Sequence, residues 1–212
     1  MGGTTSQASS SADLMVDLII SLDGYASAEG WPGWWGLEGP EYLAWLEQEG
    51  EKGYTFLLGA TTYRVLSGMS EEAAAGNSEF SRDEGAALTG LDAVPKLVFS
   101  STLQGPLTWP NSELVTGDAV EAVREMKRTG TRPLSTLGSL SLCRSLVTAG
   151  LVDRFRLVVF PVITGRTGRE RIYDGYPDVA LEMVDSRTFD GRLQLLEYVP
   201  TVLNGPPAAG TG

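Results

Sequence analysis

The chain contains no histidine and one cysteine among its 212 residues. Without imidazole there is no Ser-His-Asp or Cys-His catalyst and no histidine-ligated metal. A single thiol forms neither a cysteine zinc cluster nor an intrachain disulfide. Basic residues are also scarce, 16 against 27 acidic ones, for a net charge of −11. Phosphate-backbone binding needs a basic footprint, so a nucleic-acid partner is not expected. Apolar runs last only a few residues, well short of the ~20 a membrane helix requires. Residues 1–12 lack the basic start and apolar stretch of a signal peptide, so a cytoplasmic chain is expected. Proton chemistry then falls to Asp, Glu, Tyr, Lys, a cofactor or water, with no metal.

What is present is an ordinary globular composition, 42% hydrophobic and 8% aromatic. The acidic excess lies wholly in residues 1–106, with 15 acidic and 4 basic residues; residues 107–212 hold 12 of each. The sequence predicts one domain over residues 13–200 between two loose tails, residues 1–12 and 201–212.

Leu14 to Ser21 reads as a strand, closed by Asp23-Gly24. A Gly- and Trp-rich loop follows, then a helix opening at Pro40 and running to Glu49. Tyr54 to Leu58, Lys96 to Phe99, Glu113 to Val115, Pro133 to Leu137 and Asp153 to Val162 read as strands. A short helix is predicted over Thr61 to Leu66 and a weak one around Ser81 to Leu88. Asp118 with Glu121 forms a capping box for a helix ending near Gly130. Ser139 is predicted to cap a helix running to Ala149. Val179 to Phe189 and Arg192 to Val199 form a hairpin through Asp190-Gly191. Strands alternating with helices, then strands alone, predict an α/β fold. Its sheet is mostly parallel, with helices on both faces and an antiparallel carboxy-terminal edge.

In such sheets ligands bind at the carboxyl ends of the parallel strands. These are Ser21 to Gly24, Gly59 to Thr62, Ser100 to Thr102 and Gly138 to Leu140, all rich in Gly, Ser or Thr. Leu137-Gly138-Ser139 and Gly59-Ala60-Thr61-Thr62 are strand-to-helix turns whose free amides suit a pyrophosphate. Asp23 is the candidate catalytic carboxylate. As a general acid it needs a pKa raised by burial against the aromatic loop. Tyr25 is a candidate hydrogen-bond donor. Trp31, Trp34 and Trp35, set among glycines, are candidates for an aromatic lid over a flat substrate, against the alternative of packing or a dimer contact. Trp45 reads as helix core and Cys143 as a buried apolar residue.

A series of short motifs carries a family resemblance. They are Ser21-Leu22-Asp23-Gly24-Tyr25, Leu58-Gly59 with Thr62-Tyr63, Lys96 to Ser100 with Thr102-Leu103, and Gly138-Ser139 with Leu142. Gly150 to Asp153 and Pro161 to Gly165 complete the series. Over residues 13–200 the chain resembles the dihydrofolate-reductase-like family. Within it, the likeness is to the branch related to the carboxy-terminal reductase domain of the bifunctional deaminase-reductase of bacterial riboflavin biosynthesis. The resemblance implies about eight strands, a homodimer, NADPH as hydride donor and a small-molecule substrate. It places Ser21, Leu22, Asp23 and Gly24 beside nicotinamide and substrate. Gly59, Ala60, Thr61 and Thr62 would lie at phosphate or ribose, and Ser100, Ser101 and Thr102 at adenosine. Leu137, Gly138, Ser139, Leu140 and Leu142 would lie at the pyrophosphate.

Ala60 and Ser101 stand where family members often carry basic residues for a 2′-phosphate. That departure leaves three readings: another arginine substitutes, NADH is used, or the site serves another end. The function classes are accordingly an NAD(P)H-dependent reductase of a planar heterocycle, a non-redox enzyme on the same scaffold, or a ligand-binding protein.

Overall fold

The segment LMVDLIIS is apolar on both faces, the pattern of a central strand in a parallel sheet. In the computed structural model, which describes residues 12–31, 35–76 and 82–205, it forms β1 (Leu14–Ser21). β1 lies between β6 (Leu134–Thr136) and β7 (Arg154–Phe160), parallel to both. Beyond β6 come β3 (Thr55–Gly59), β4 (Lys96–Phe99) and β5 (Ser112–Val115), again parallel. Beyond β7, β10 (Leu193–Val202) pairs antiparallel, and β9 (Val179–Phe189) pairs antiparallel with β10 at the edge. The order is β5-β4-β3-β6-β1-β7-β10-β9. The mixed, mostly parallel eight-stranded sheet with its antiparallel hairpin edge is thus as the sequence predicts.

Helices cover both faces. α4 (Ala119–Thr129) and α5 (Leu140–Thr148) bury Val123, Leu142, Cys143 and Leu146 against Leu14, Val16, Leu18 and Leu57. On the opposite face α1 (Pro40–Gly50) packs Tyr42 and Trp45 on Val158, Phe160, Phe189 and Leu195. α2 (Ala60–Ala75) packs Tyr63 against Leu58, Val98 and Trp109, and α3 (Arg82–Gly90) lies beside it.

Three polar devices fix these layers. Asp118 accepts hydrogen bonds from the amides of Val120 (2.8 Å) and Glu121 (3.1 Å), capping α4. The expected reciprocal box is not closed, because Glu121 pairs with Arg124 instead. Arg156, 4% exposed, donates to Asp17 through Nε (3.0 Å) and Nη2 (2.6 Å) and to Glu49 through Nη1 (2.6 Å). It also stacks 4.7 Å from the Trp45 ring, tying α1 to β1 and β7. Finally, Asp190 and Gly191 both take positive φ, 53° and 66°, as a two-residue hairpin turn requires. The Asp190 carboxylate accepts from the amides of Glu41 (3.0 Å) and Tyr42 (3.2 Å), and Glu41 accepts from the Asp190 amide (2.6 Å). A capping box is therefore completed across the fold between the hairpin and α1.

Several boundaries differ from the sequence reading. α2 runs to Ala75 rather than stopping near Leu66, because SEEAAA sustains it until Gly76 turns left-handed at φ 68°. The ordered sheet extends two residues beyond position 200, and Ala12 is buried with its amide on the Lys127 carbonyl. β2 (Tyr25–Ala28) and β8 (Gly168–Arg171) form a second, two-stranded sheet that the sequence did not announce.

Candidate active site

The carboxyl ends of β4, β3, β6 and β1 lie in that order along one edge of the sheet. With strands ~4.8 Å apart, β4 and β1 are separated by about 14 Å, so an elongated ligand across these ends touches all four segments.

The tightest convergence is between β3 and β6. The Ser139 hydroxyl accepts a hydrogen bond from the Gly59 amide (2.7 Å) and donates to Thr62 Oγ1 (2.9 Å). This joins the start of α5 to the start of α2. Gly138 and Ser139 are both left-handed, φ 58° and 65°. For serine that conformation costs on the order of 1–2 kcal/mol, a strain that clusters at ligand sites. Ser139 does not cap α5 through its side chain, contrary to the sequence expectation. Its backbone is turned the wrong way, and its hydroxyl serves the neighbouring turn. A Cβ at Gly138 would lie 3.4 Å from the Thr62 side chain, and one at Gly59 3.5 Å from Ser139 Oγ, so the two turns are closely nested. Their first-turn amides have no intrahelical acceptors and form a cradle of the kind an anion fills.

At the next strand, the pairing of Gly59 with Phe99 sets Ser100 beside Ala60. Ser100 Oγ accepts from the amides of Thr102 (3.1 Å) and Leu103 (3.0 Å), shaping the turn and leaving Ser101 exposed. Ala60 and Ser101 contribute no charge here. Arg64 lies one turn along α2 from Ala60, exposed, and its guanidinium has no carboxylate partner among the described residues. A helical side chain leans toward the preceding turn, so Arg64 leans toward position 60.

At β1, the structure corrects the expected state of Asp23. Its carboxylate accepts from Ser21 Oγ (2.7 Å), the Gly165 amide (2.8 Å), the Thr164 amide (3.2 Å) and Thr164 Oγ1 (3.3 Å). Burial raises its pKa, but these donors outweigh burial and bring it down to about 2. Asp23 is an ionised anchor for the loop after β7, not a protonated acid. Tyr25 is a strand residue of β2; its ring lies 5.5 Å from the Arg171 guanidinium, and a Cβ at Gly168 would come within 2.8 Å of it. Leu22 is exposed.

The Trp loop divides. Trp35 is fully buried in the core with Tyr42 and Phe160, so it is not part of a lid. Trp31 is 45% exposed, with its ring 6.1 Å from that of Trp35. Trp34 lies outside the described residues.

Sequence reasoning missed Glu38. Its Oε1 accepts from the Trp35 amide (3.1 Å), and Oε2 is buried without a partner among the described residues, as are Trp35 Nε1 and Tyr42 Oη. Burial pushes the Glu38 carboxyl up, and the nearby charge of Glu84 adds to the rise. Burial likewise pushes up the Tyr42 phenol, helped by Asp17 and Glu38. The only hint in the sequence is a carboxylate placed between aromatic residues just before a helix. Cys143, buried on α5 with its thiol pushed up to about 12, is inert, as expected.

No helix among the described residues is long and apolar enough to cross a membrane. A model of the RibD C-terminal domain family matches residues 12–195. Uncharacterized protein YyaP of Bacillus subtilis (strain 168) is 30% identical over 84 residues, 40% of this chain and 44% of that protein's length. Among solved structures, a putative riboflavin biosynthesis protein from Shewanella sp. PV-4 superposes with a TM-score of 0.62 at 16% identity, covering 89% of this chain and 99% of its own. A pyrimidine reductase-like protein from Corynebacterium diphtheriae gives 0.58 at 15%, covering 90% and 92%. A diaminohydroxyphosphoribosylaminopyrimidine deaminase/5-amino-6-(5-phosphoribosylamino)uracil reductase from Thermotoga maritima gives 0.60 at 15%, covering 90% of this chain and 57% of its own. At these identities the likenesses establish the dihydrofolate-reductase-like fold.

Proposed function

The chain belongs to the RibD C-terminal domain family, and on that premise we propose that it is a reductase of a small planar heterocycle of the aminopyrimidine class, using NADPH or NADH. The observation that carries this reading is the joined pair of turns, Gly59 to Thr62 and Gly138 to Leu140, locked by Ser139. Two helix starts joined at Ser139 suit a pyrophosphate, and the glycines allow it close to the backbone. The donor set therefore fits a dinucleotide, with adenosine toward Ser100 to Thr102 and nicotinamide toward Ser21 to Gly24. Bound there, the reduced nicotinamide supplies a hydride to a C=N or C=O carbon.

The chain's own residues then position and protonate. Asp23 holds Thr164 and Gly165 against the end of β1, fixing the wall beside the hydride. Glu38, whose carboxyl is pushed up by burial, is the candidate donor of the proton to the nitrogen or oxygen of the bond whose carbon takes the hydride. Trp31 offers an aromatic face to the substrate. Nicotinamide oxidation followed by absorbance, with a phosphoribosylaminouracil as acceptor, tests the proposal. Turnover in the wild type, with Glu38→Gln lowering kcat at least tenfold and leaving dinucleotide affinity intact, supports it. Tight dinucleotide binding without turnover of any pyrimidine acceptor overturns the substrate class. A Glu38→Gln enzyme as active as the wild type overturns the proton assignment.

The absence of charge at Ala60 and Ser101 favours a second reading, a non-redox enzyme or a binding protein whose cleft takes a flat ligand without a dinucleotide. It predicts binding of neither NADPH nor NADH.

A further inference from the structure

Tyr173 presents an aromatic ring to solvent beside the turn that ends β1. It follows β8 and is 51% exposed, whereas its neighbour Ile172 is 1% exposed in the core with Leu142, Cys143 and Leu146 of α5. The Ile172 amide donates to the Gly24 carbonyl (3.1 Å), which brings the segment after β8 back to the end of β1. A Cβ on Gly24 would lie 4.0 Å from Tyr173 Cε2, so the ring rests at ordinary contact distance on the bare side of that glycine. Its inner edge meets Tyr176, whose ring stands at 78° to it with centroids 6.4 Å apart.

The same segment touches α5. Arg144 Nη1 donates to the Asp174 carbonyl (3.0 Å), and Arg144 lies one turn along α5 from Leu140. Helical side chains lean toward the preceding turn, so residues 173 and 174 lie beside the first turn of α5. Tyr173 therefore occupies the corner between the end of β1 and the start of α5. Trp31 stands elsewhere. Its ring is against that of Trp35, on the α1 side of the sheet. It bridges to Ala28, which pairs with Gly168, about 10 Å along the β2–β8 ribbon from the Tyr25–Arg171 pair. Two exposed rings are thus set apart along one ribbon.

We propose that Tyr173 binds the nicotinamide of the dinucleotide, packing its ring against the nicotinamide ring, and that it leaves Trp31 to the substrate. This assignment rests on the dinucleotide reading. In that reading the pyrophosphate lies at Ser139 and the nicotinamide at Ser21 to Gly24, and Tyr173 fills the corner between them. A flat heteroaromatic ring is held by an aromatic face at stacking distance, and a half-exposed ring already fixed along one edge is ordered before the ligand arrives. The contact needs no charge. It serves NADH and NADPH alike, whatever holds the 2′-phosphate in place of Ala60 and Ser101.

Calorimetry on the full chain tests it by pairing each dinucleotide with the fragment that lacks nicotinamide: NADPH with 2′-phospho-ADP-ribose, and NADH with ADP-ribose. The wild type is expected to bind the dinucleotide more tightly than the fragment. Tyr173→Ala is expected to weaken the dinucleotide about tenfold and to leave fragment affinity unchanged, which also shows that the variant is folded. Tyr173→Phe keeps the ring and is expected to keep the wild-type affinity. A wild type that binds dinucleotide and fragment equally overturns the assignment. So does a Tyr173→Ala variant that loses nothing or loses both ligands equally, or a Tyr173→Phe variant that loses as much as Tyr173→Ala. In each of these cases the wild type still binds a dinucleotide and the reading beneath the assignment stands. A wild type that binds neither ligand overturns that reading and the assignment with it.

Discussion

Asp23 and Glu38 are two carboxyls at the same end of the sheet, and their surroundings drive them apart. Asp23 is met by a hydroxyl and by backbone amides, which favour the anion; Glu38 is half-buried, with one oxygen buried and without a partner among the described residues. Asp23 falls from an ordinary 3.8 to about 2, because its donors outweigh burial. A lowered carboxylate pKa stabilises the fold fully above the unfolded value. That contribution declines as pH falls below about 3.8 and is gone below about 2. Asp23→Ala is expected to cost roughly 0.5–1.5 kcal/mol in urea denaturation at neutral pH, since it removes the hydrogen bonds that hold Thr164 and Gly165 to the end of β1. The variant is also expected to lose this part of the acid dependence. The sequence pointed to Asp23 as a residue of interest but not to its state, because Thr164 and Gly165 lie 141 and 142 positions away. Ser139 is similar: its place in a turn is legible, whereas its bond to Gly59 needs β3 beside β6, which no local pattern encodes.

Elements were legible where the local pattern was strong. β4 and β9 match their predicted spans, and Asp190-Gly191 makes the hairpin turn that the pair announces. What the turn does beyond joining strands was not legible. Asp190 caps α1, whose own N-cap, Gly39, has no side chain for the task. Gly39 is required by that arrangement, because a Cβ there would lie 2.2 Å from the Asp190 carboxyl carbon. Asp190→Ala is expected to cost ~0.5–2 kcal/mol, the usual worth of a cap. Gly39→Ala is expected to cost at least as much by displacing the carboxylate. The two effects should be less than additive in the double variant, where the shortened side chain leaves room for the methyl group. Thermal or urea unfolding of the three variants measures this. The short β2 and β8 escaped notice because four residues with mixed polarity carry no period of their own; only their mutual pairing makes them strands.

At the scale of the molecule, the sequence reached the class of fold through the alternation of elements, and the family through motifs in order. Strand order is set by which apolar faces meet, so the meeting of the starts of α2 and α5 at Ser139 became visible only in the structure. That meeting is the basis for placing a dinucleotide across the ends of β4, β3, β6 and β1. It is tested most directly by calorimetric titration of the chain with NADPH and with NADH, alongside the Arg64→Ala variant. The account predicts micromolar binding of at least one dinucleotide. It further predicts that any preference for NADPH falls about tenfold in Arg64→Ala, the worth of one charged contact of ~1.4 kcal/mol. Binding of neither dinucleotide up to millimolar concentration would contradict it.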